Sequence, residues 1–407
     1  AVGGCLAQKD RDQIQHRAGH VDVVFGTHNV HRAAELLAEA RSHGPVMEIL
    51  EETVREDSEA FPSVLPTQRD ADHKAWVTIQ IGCDNSCAFC IVPSVRGPEI
   101  SRPFGEKVAE VESLAADGVT EVTLLGQNVN SYGRDLTLRL RSLDAGPADT
   151  FEAGEVWASD PNRRPRPLFA DLLTAIGAVD GIRRVRFTSP HPKDLRPETI
   201  EAMAVTPEVC EHLHLPLQSG SDSILSAMHR GYTAERYLER LAAARAGIDD
   251  LAVTTDIIVG FPGETDDDFE RTLEVVAEAG YDSAYCFVFS PRGGTEAASM
   301  QRDFVDHDVC VDRFERLQRV LKRSGTITHR ARIEEVVIEG PAKREPDQVT
   351  GRTRQNKLVH LAAGEGLRAG AYARVEITDA ATHYLRGDLV EVTAAPRHRR
   401  RIPVASA

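Results

Sequence analysis

The feature that most constrains the fold is a repeated order of strand and helix through the middle of the chain. Strand-like segments are predicted at Val77–Ile81, Glu121–Leu125, Arg184–Thr188, His212–Leu217, Val253–Phe261 and Ala284–Ser290. Helical patterns lie between them at Glu106–Asp117, Leu168–Val179, Ala234–Ala246 and Thr265–Ala279. Several strands are continuous apolar runs, as expected where helices cover one face and a filled interior the other. Six βα units predict an α/β fold with a partial parallel barrel, whose active groups lie at the carboxyl ends of the strands.

A loop of three cysteines follows the first of these strands. Cys83, Cys87 and Cys90 form a C-x3-C-x2-C pattern, with Phe89 just before the last cysteine. Three thiolates so close in sequence can hold three irons of one [4Fe–4S] cluster and leave the fourth iron open for a ligand. Tetrahedral zinc fits this loop poorly, because no fourth Cys or His lies nearby in the sequence. The loop therefore predicts an iron–sulfur cluster that performs chemistry rather than electron relay alone.

Length, cysteine usage and charge limit the classes of protein to which the chain can belong. A chain of 407 residues predicts two or three domains. No apolar run approaches the roughly 18–20 residues that span a bilayer, and the start lacks the pattern of a signal peptide. Seven cysteines without pairing regularity favour a reducing cytoplasm. The net charge is −15, yet residues 326–407 carry 14 Lys and Arg against 10 Asp and Glu, which predicts one localised contact with a polyanion.

The two ends of the chain differ from the middle. Residues 1–66 carry strand-like pieces at Ala1–Gly3 and Val21–Gly26 and a helical pattern at His31–Ala40, which predict the rear part of an open α/β domain in a chain that begins inside it. The central domain is predicted at 69–325, with a mobile surface insertion at 135–167. Residues 326–395 are predicted to form a small β-barrel, followed by a basic tail at 396–407. The strand-like segments of this predicted barrel lie at Glu335–Glu339, Lys357–Leu361, Ala371–Ile377 and Leu389–Thr393.

The cysteine loop and the βα units together resemble the radical S-adenosylmethionine superfamily. Further motifs narrow the resemblance to the methylthiotransferases, whose radical domain lies between a cluster-bearing N-terminal domain and a C-terminal TRAM barrel. They look like the branch that adds a methylthio group to C2 of N6-isopentenyladenosine beside the tRNA anticodon. The motifs are Gly82–Gly97 (GCDNSCAFCIVPSVRG), Leu124–Gly133 (LLGQNVNSYG), His191–Leu195 (HPKDL), His214–Asp222 (HLPLQSGSD) and Ala227–Tyr232 (AMHRGY).

The resemblance implies roles for residues at the strand ends. It implies that Cys83, Cys87 and Cys90 ligate the radical cluster and that S-adenosylmethionine chelates the open iron. Cleavage of its sulfonium frees a 5′-deoxyadenosyl radical that attacks an unactivated C–H bond. Phe89 would pack near the adenine of the cofactor. The residues expected at the cofactor after successive strands are Gly126, Gln127, Asn128, Ser219, Gly220, Gly260, Ser290 and Arg292; a rim ion pair is the other reading of Arg292.

Cys5 is where the chain departs from the family pattern. The family's N-terminal domain holds an auxiliary [4Fe–4S] cluster on three separated cysteines, and the segment around Cys5 matches the last of them. The other two would lie upstream of Ala1, and nothing in residues 6–82 replaces them. We therefore expect one complete cluster, on the loop of three cysteines, and an incomplete auxiliary site at Cys5.

Basic residues in the predicted barrel indicate an RNA partner. Arg352, Arg354 and Lys357 resemble the turn through which TRAM domains contact RNA, and their charges suit phosphates more than bases. The expected partners are a tRNA that carries N6-isopentenyladenosine and an electron donor, for a cytoplasmic monomer without membrane contact. The alternatives are methylthiolation of threonylcarbamoyl-adenosine in tRNA or of a ribosomal-protein aspartate, and a catalytically inactive RNA-binding fragment.

Overall fold

The computed structural model describes residues 1–49, 69–141, 147–324, 330–345, 347–381 and 383–397. Most of the predicted basic tail and the boundary predicted at residues 66–69 fall largely outside these ranges. The chain divides into two compact units. The first comprises residues 1–68, 81–86 and 90–100, and the second comprises residues 69–80, 87–89 and 101–407.

The first unit contains the small open α/β layer that the sequence predicts. Its three strands are parallel in the order β1-β2-β3. Ala7 and Val24 are fully buried in its apolar core. The strands are β1 (Val2–Gly3), β2 (Val23–Phe25) and β3 (Val46–Glu48), and the helices are α1 (Cys5–Asp10), α2 (Asp12–Arg17), α3 (Ala33–His43) and, after the cysteine loop, α4 (Val92–Arg96).

The second unit contains the six parallel strands that the βα pattern predicts. They form two three-stranded sheets, β4-β7-β8 and β9-β10-β11, and a parallel bridge from Val185 to Val209 connects β8 to the approach of β9. The fold class predicted from the sequence is confirmed. The bounds are β4 (Lys74–Thr78), β7 (Glu121–Leu125), β8 (Arg184–Phe187), β9 (His212–His214), β10 (Ala252–Val259) and β11 (Ser283–Val288), with the short strands β5 (Gln80–Ile81) and β6 (Ile100–Ser101) beside the cysteine loop.

Helices cover the outer face of this arc of strands. One continuous core includes Val77, Leu124, Val185 and Ile257, each with essentially no exposed surface. A capping box between Thr265 and Asp268 begins the helix after β10 by satisfying its first N–H groups. The helices are α5 (Phe104–Ala116), α6 (Arg134–Leu140), α7 (Pro147–Ala153), α8 (Glu155–Ala158), α9 (Phe169–Gly177), α10 (Pro197–Val205), α11 (Asp222–Ala227), α12 (Ala234–Gly247), α13 (Asp266–Ala279), α14 (Glu296–Ser299) and α15 (His307–Ser324).

The region predicted as a mobile surface insertion is partly built into this core. Its described residues form α6, α7 and α8, where the pattern of Asp, Gly, Ala, Arg and Pro had indicated a loop. Trp157 and Ala153 are buried in the main cluster, and the indole N–H of Trp157 donates to the carbonyl of Arg164 at 3.0 Å. One buried tryptophan therefore anchors this part of the insertion to the core, and the mobility of the segment stays a prediction.

The C-terminal segment closes into a five-stranded barrel. The strands are β12 (Ile333–Pro341), β13 (Gln348–Thr353), β14 (Leu358–Ala362), β15 (Tyr372–Ala380) and β16 (Leu385–Ala394), in the order β12-β13-β14-β16-β15. The sequence prediction missed β13, whose Thr, Gly and Arg look like a turn. Position 351 in this strand requires glycine, because a Cβ there would come 2.6 Å from the carbonyl oxygen of Val337 on β12. A glycine that weakens a strand in isolation thus permits close approach in the closed barrel.

Two buried arginines of β8 fix this barrel to the amino half of the parallel strands. Arg184 donates to the carbonyl of Arg352 at 2.8 Å and to the carbonyl of Glu335 at 2.9 Å. Arg186 donates to the carbonyls of Arg354 and Thr353, both at 2.8 Å. These charge-assisted bonds hold the strand backbone at a fixed position. None of the helices in the described ranges is long and apolar enough to cross a membrane.

Candidate cluster loop and barrel cavity

The cysteine loop begins at a glycine with left-handed backbone geometry. Gly82 has a φ of +79°, and a Cβ there would lie 2.6 Å from the carbonyl oxygen of Gly97. The backbone N–H of Cys83 donates to that same carbonyl at 3.0 Å. Glycine is needed at position 82 for both the turn and the close packing. This end of the loop is therefore held by the first unit's own backbone.

The middle of the loop is held by the second unit. The N–H of Ala88 donates to the carbonyl of Met228 at 3.1 Å, and the carbonyl of Ala88 accepts from the N–H of Ala297 at 2.9 Å. Phe89 packs against an apolar cluster that includes Phe261, directly after β10. Phe89 thus lies at the carboxyl ends of the strands, where the resemblance places the adenine of the cofactor. Its contact with that adenine stays a prediction.

Cys87 faces a buried cation. Arg230 donates from Nη1 to Cys87 Sγ at 3.3 Å and from Nε to the hydroxyl oxygen of Tyr232 at 3.2 Å. Burial raises the pKa of Tyr232, so its phenol is neutral at physiological pH. Its hydroxyl lies 2.9 Å from the carbonyl oxygen of Leu217. This network fixes the guanidinium against the sulfur.

The three thiols of the loop suit iron, although their sulfur atoms do not surround one point in the structure. Among the residues that the structure describes, no three Cys, His, Asp or Glu side chains lie close enough to hold a metal ion. None of the seven cysteines forms a disulfide, and Cys83, Cys87 and Cys90 are all half-buried. Soft thiolates within one short loop are the donors that an iron–sulfur cluster requires. The residues present therefore fit the cluster that the sequence predicts.

The second strand end presents a polar group to the same region. Gln127 follows β7, and its side-chain oxygen is buried without a hydrogen-bond partner among the described residues. Such an acceptor suits the ammonium group of an amino-acid moiety. Asn128 instead donates to the Asp194 carboxylate at 2.9 Å. Gly126 is needed for packing, since a Cβ would come 2.8 Å from the side chain of Gln80.

The later strand-end glycines have structural reasons of their own. A Cβ on Gly220 would come 2.6 Å from the backbone of Thr272 on α13, whose hydroxyl also contacts Ser219 at 3.3 Å. Gly260 has a φ of +73°, and a Cβ there would collide with Cys310 on α15. The interpretation of these glycines as room for an adenosine therefore needs correction: the close neighbours are helices of the same fold. Contact of Ser219, Gly220 and Gly260 with the cofactor stays a prediction.

The other predicted site residues are more open. Ser290 and Arg292 follow β11 and are exposed, and no ion pair of Arg292 occurs within the described ranges. Contact of Ser290 and Arg292 with the cofactor stays a prediction, and so does the alternative of a rim ion pair for Arg292. Cys5 is the first residue of α1 and is half-buried. The three remaining cysteines have the raised thiol pKa that burial produces, and that of Cys286 lies at about 11.

A cavity of about 740 Å³ lies inside the amino half of the parallel barrel. The five-stranded barrel closes its floor. Two aromatic rings face it with much exposed surface: Trp76 on β4 is 61% exposed and Tyr285 on β11 is 59% exposed. The other charged and ring-bearing side chains that line it are Lys74, Glu121, Arg186, Phe187, His212, His214, Asp256, Glu339, Arg352, Lys357, His383 and Tyr384. A volume of this size accommodates one nucleoside.

Two histidines form a polar wall in this cavity. The hydroxyl of Thr254 bridges His212 Nε2 at 3.2 Å and His214 Nδ1 at 3.0 Å. Burial lowers the pKa of His212 to about 3, with repulsion from Arg186 adding to it. His214 Nε2 also lies 3.4 Å from the Asp256 carboxylate. Sequence reasoning missed His212; the signal was polar side chains at alternate positions of otherwise apolar strands.

The predicted RNA-binding turn points into this interior rather than away from the molecule. Arg354 makes two bonds of 2.7 Å to the Glu211 carboxylate. Lys357 donates to the carbonyl of Asp282 at 3.0 Å, and Arg352 lies 3.4 Å from Glu339. Arg352 and Lys357 line the cavity, whereas Arg354 does not. The three cations were expected to bind phosphates together. Instead, Arg352 and Lys357 line the cavity, and Arg354 connects the two barrels.

Comparison with known proteins agrees with this geometry. The Radical SAM superfamily profile matches residues 77–276, and the TRAM domain profile matches residues 329–390. Over 95% of this chain, a protein from Frankia alni is 47% identical across 73% of its own length, and one from Mycobacterium marinum is 48% identical across 72%. They are called tRNA-2-methylthio-N(6)-dimethylallyladenosine synthase and synthase 1. The coproporphyrinogen III oxidase structure from Escherichia coli, a radical SAM enzyme, aligns with a TM-score of 0.39 at 12% identity, covering 75% of this chain and 67% of its own.

These findings define the class first. The protein is a radical S-adenosylmethionine enzyme with a C-terminal TRAM domain, a class that uses a [4Fe–4S] cluster and S-adenosylmethionine. Within this class, the chain belongs to the family of the tRNA-2-methylthio-N(6)-dimethylallyladenosine synthases.

Proposed function

We propose that this chain adds a methylthio group to C2 of N6-isopentenyladenosine in tRNA, with Cys83, Cys87 and Cys90 as the ligands of the radical cluster. The observation that carries the proposal is the position of Cys87 and Phe89, which the backbone hydrogen bonds of Ala88 and the apolar cluster around Phe261 hold beside the carboxyl ends of the parallel strands. When bound, the cluster and S-adenosylmethionine supply one-electron chemistry that reaches an unactivated C–H bond. We place the protein in the cytoplasm, as a monomer that receives electrons from a separate donor.

The chain's own residues prepare the two ends of the site. At the carboxyl ends, the buried oxygen of Gln127 accepts from the ammonium group of the cofactor, and Phe89 covers its adenine. Toward the amino ends, Trp76 and Tyr285 offer ring faces on which a base of the bound RNA stacks. Arg352 and Lys357 place positive charge at the floor, where it attracts RNA phosphates. The neutral His212 donates or accepts a hydrogen bond without adding charge.

Iron content after anaerobic reconstitution tests the cluster assignment. We expect about four irons per chain on the cysteine loop. Replacing Cys83, Cys87 and Cys90 together by Ala should remove that iron, while the control Cys286→Ala, a half-buried thiol outside the loop, should retain it. Equal iron content in the triple variant and the parent chain would refute the ligand assignment.

A further inference from the structure

Arg230 is a buried guanidinium that lacks the anion its burial requires. It lies in the turn after α11, and only 6% of its surface is exposed. Its hydrogen bonds go to the Cys87 sulfur and the Tyr232 hydroxyl, and its guanidinium carbon lies 5.5 Å from the Tyr232 ring centroid. No carboxylate pairs with it in the described part of the chain. Since an unpaired buried charge is strongly unfavourable, an anion is needed beside it.

The other buried arginines of the described residues show what is normal in this protein. Each has a carboxylate within ion-pair distance, at Glu106, Glu335, Glu121 or Glu264. These four buried arginines are Arg102, Arg184, Arg186 and Arg313. Arg230 alone in this set faces a sulfur instead. The difference points to a negative charge carried by that sulfur in the working protein.

We infer that Arg230 is the counter-cation of the cluster and acts through Cys87 as a positioning residue that sets the cluster's reduction potential. The inference rests on the proposed function, because Cys87 must be a ligand. Three thiolates and the inorganic sulfides give the oxidised cluster a net negative charge, and reduction adds one more. A fixed cation therefore stabilises the reduced form more than the oxidised form. Hydrogen bonds and charge around the sulfurs are known determinants of such potentials.

The reconstituted chain and three variants provide the test, by redox titration followed with electron paramagnetic resonance. In Arg230→Gln, the ratio of reduced to oxidised cluster at a fixed solution potential should fall at least tenfold, a shift of about 59 mV to lower potential for one electron. Arg230→Lys retains the charge and should stay within threefold of the parent chain. Arg102→Gln, which removes a buried arginine that has its own carboxylate, should leave the potential unchanged.

Cluster retention gives a second readout that does not depend on turnover. An Arg230→Gln chain that folds, by circular dichroism, but holds no iron supports the inference if Arg230→Lys restores the iron. An assembled cluster with the parent potential in Arg230→Gln overturns it, and so does iron loss in both variants despite normal folding. Absence of iron from the parent chain itself would instead contradict the proposed function, so the two failures are distinguishable.

Discussion

At the scale of residues, Trp76 and Tyr285 stand on the first and last strands of the parallel arc with their rings open to the cavity. Large aromatic rings exposed inside a protein are unusual unless a ligand covers them. The chain has a second tryptophan, Trp157, which is buried in the main core. The two indoles therefore report on different places, and only Trp76 can respond to a base that enters the cavity.

Replacement of Trp76 should weaken RNA binding. A stacked base contributes about 1–3 kcal/mol, so Trp76→Ala should weaken binding of an isopentenylated anticodon stem-loop about tenfold, and Trp76→Phe much less. Electrophoretic titration measures these affinities, and quenching of the Trp76 indole in the Trp157→Phe chain reports stacking on the unreplaced ring. Phe151→Ala removes an exposed ring outside the cavity and serves as the control. Equal affinity of Trp76→Ala and the parent chain would exclude stacking at this position.

His191 should make stability depend on pH. Burial, reinforced by Arg230, lowers its pKa to about 2, against about 6.5 in the unfolded chain. As the pH falls below 6.5, the unfolded chain binds a proton that the folded chain does not, so stability decreases; above 6.5 the group contributes no pH dependence. Between pH 6 and 4, His191→Asn should reduce the slope of the unfolding free energy by about 1 kcal/mol per pH unit. The exposed His20→Asn serves as the control, and equal slopes in denaturant titrations would contradict the buried neutral ring.

At the scale of elements, β8 joins the parallel strands to the five-stranded barrel. Its two arginines donate to backbone carbonyls of β12, β13 and the turn after β13 rather than to side chains alone. In the opposite direction, Arg354 in the turn after β13 forms an ion pair with Glu211, just before β9. Arg184 and Arg186 are buried, whereas Arg354 and Glu211 are half-buried. Docking of the two barrels therefore depends on a few directional bonds.

Loss of Arg186 should be costly. Arg186→Met leaves two backbone carbonyls without their donor and removes the nearer cation of the Glu121 carboxylate, which should lower the unfolding free energy by about 3–5 kcal/mol. The matched variant Arg374→Met breaks the exposed pair with Glu391 and should change it by less than about 1 kcal/mol. Urea denaturation measures both. A similar small loss in the two variants would show that β8 does not hold the barrel.

Substitutions of the basic residues in and after β13 should distinguish residues that bind RNA from the residue that holds the two barrels together. Arg352→Gln combined with Lys357→Gln should reduce the magnitude of the salt dependence of RNA binding by about 1.4–1.8 in the log–log slope, as expected for two lost phosphate contacts. Arg354→Gln should leave that slope unchanged and lower stability instead, because its partners are Glu211 and backbone carbonyls. An altered slope in Arg354→Gln alone would assign the RNA contact to Arg354.

At the scale of the whole molecule, the order of elements could be predicted from the sequence, whereas the long-range contacts could not. The six strands were predictable because apolar runs such as Leu124 and Ile257 fill the interior. Strand β13 was not predictable, because Gly351 favours a strand only where β12 packs closely against it. The wall of His212 and His214 and the unpaired charge of Arg230 depend on residues far apart in sequence. The cysteine loop was recognisable because its chemistry is contained in eight consecutive residues.

The most direct test of the central claim is reductive cleavage of S-adenosylmethionine by the reconstituted chain. With dithionite under anaerobic conditions, the parent chain should release 5′-deoxyadenosine in an amount proportional to its iron. The chain with Cys83→Ala, Cys87→Ala and Cys90→Ala should release none, and Cys286→Ala should match the parent. Cleavage in the triple variant, or none in a parent chain that holds four irons, would contradict the account.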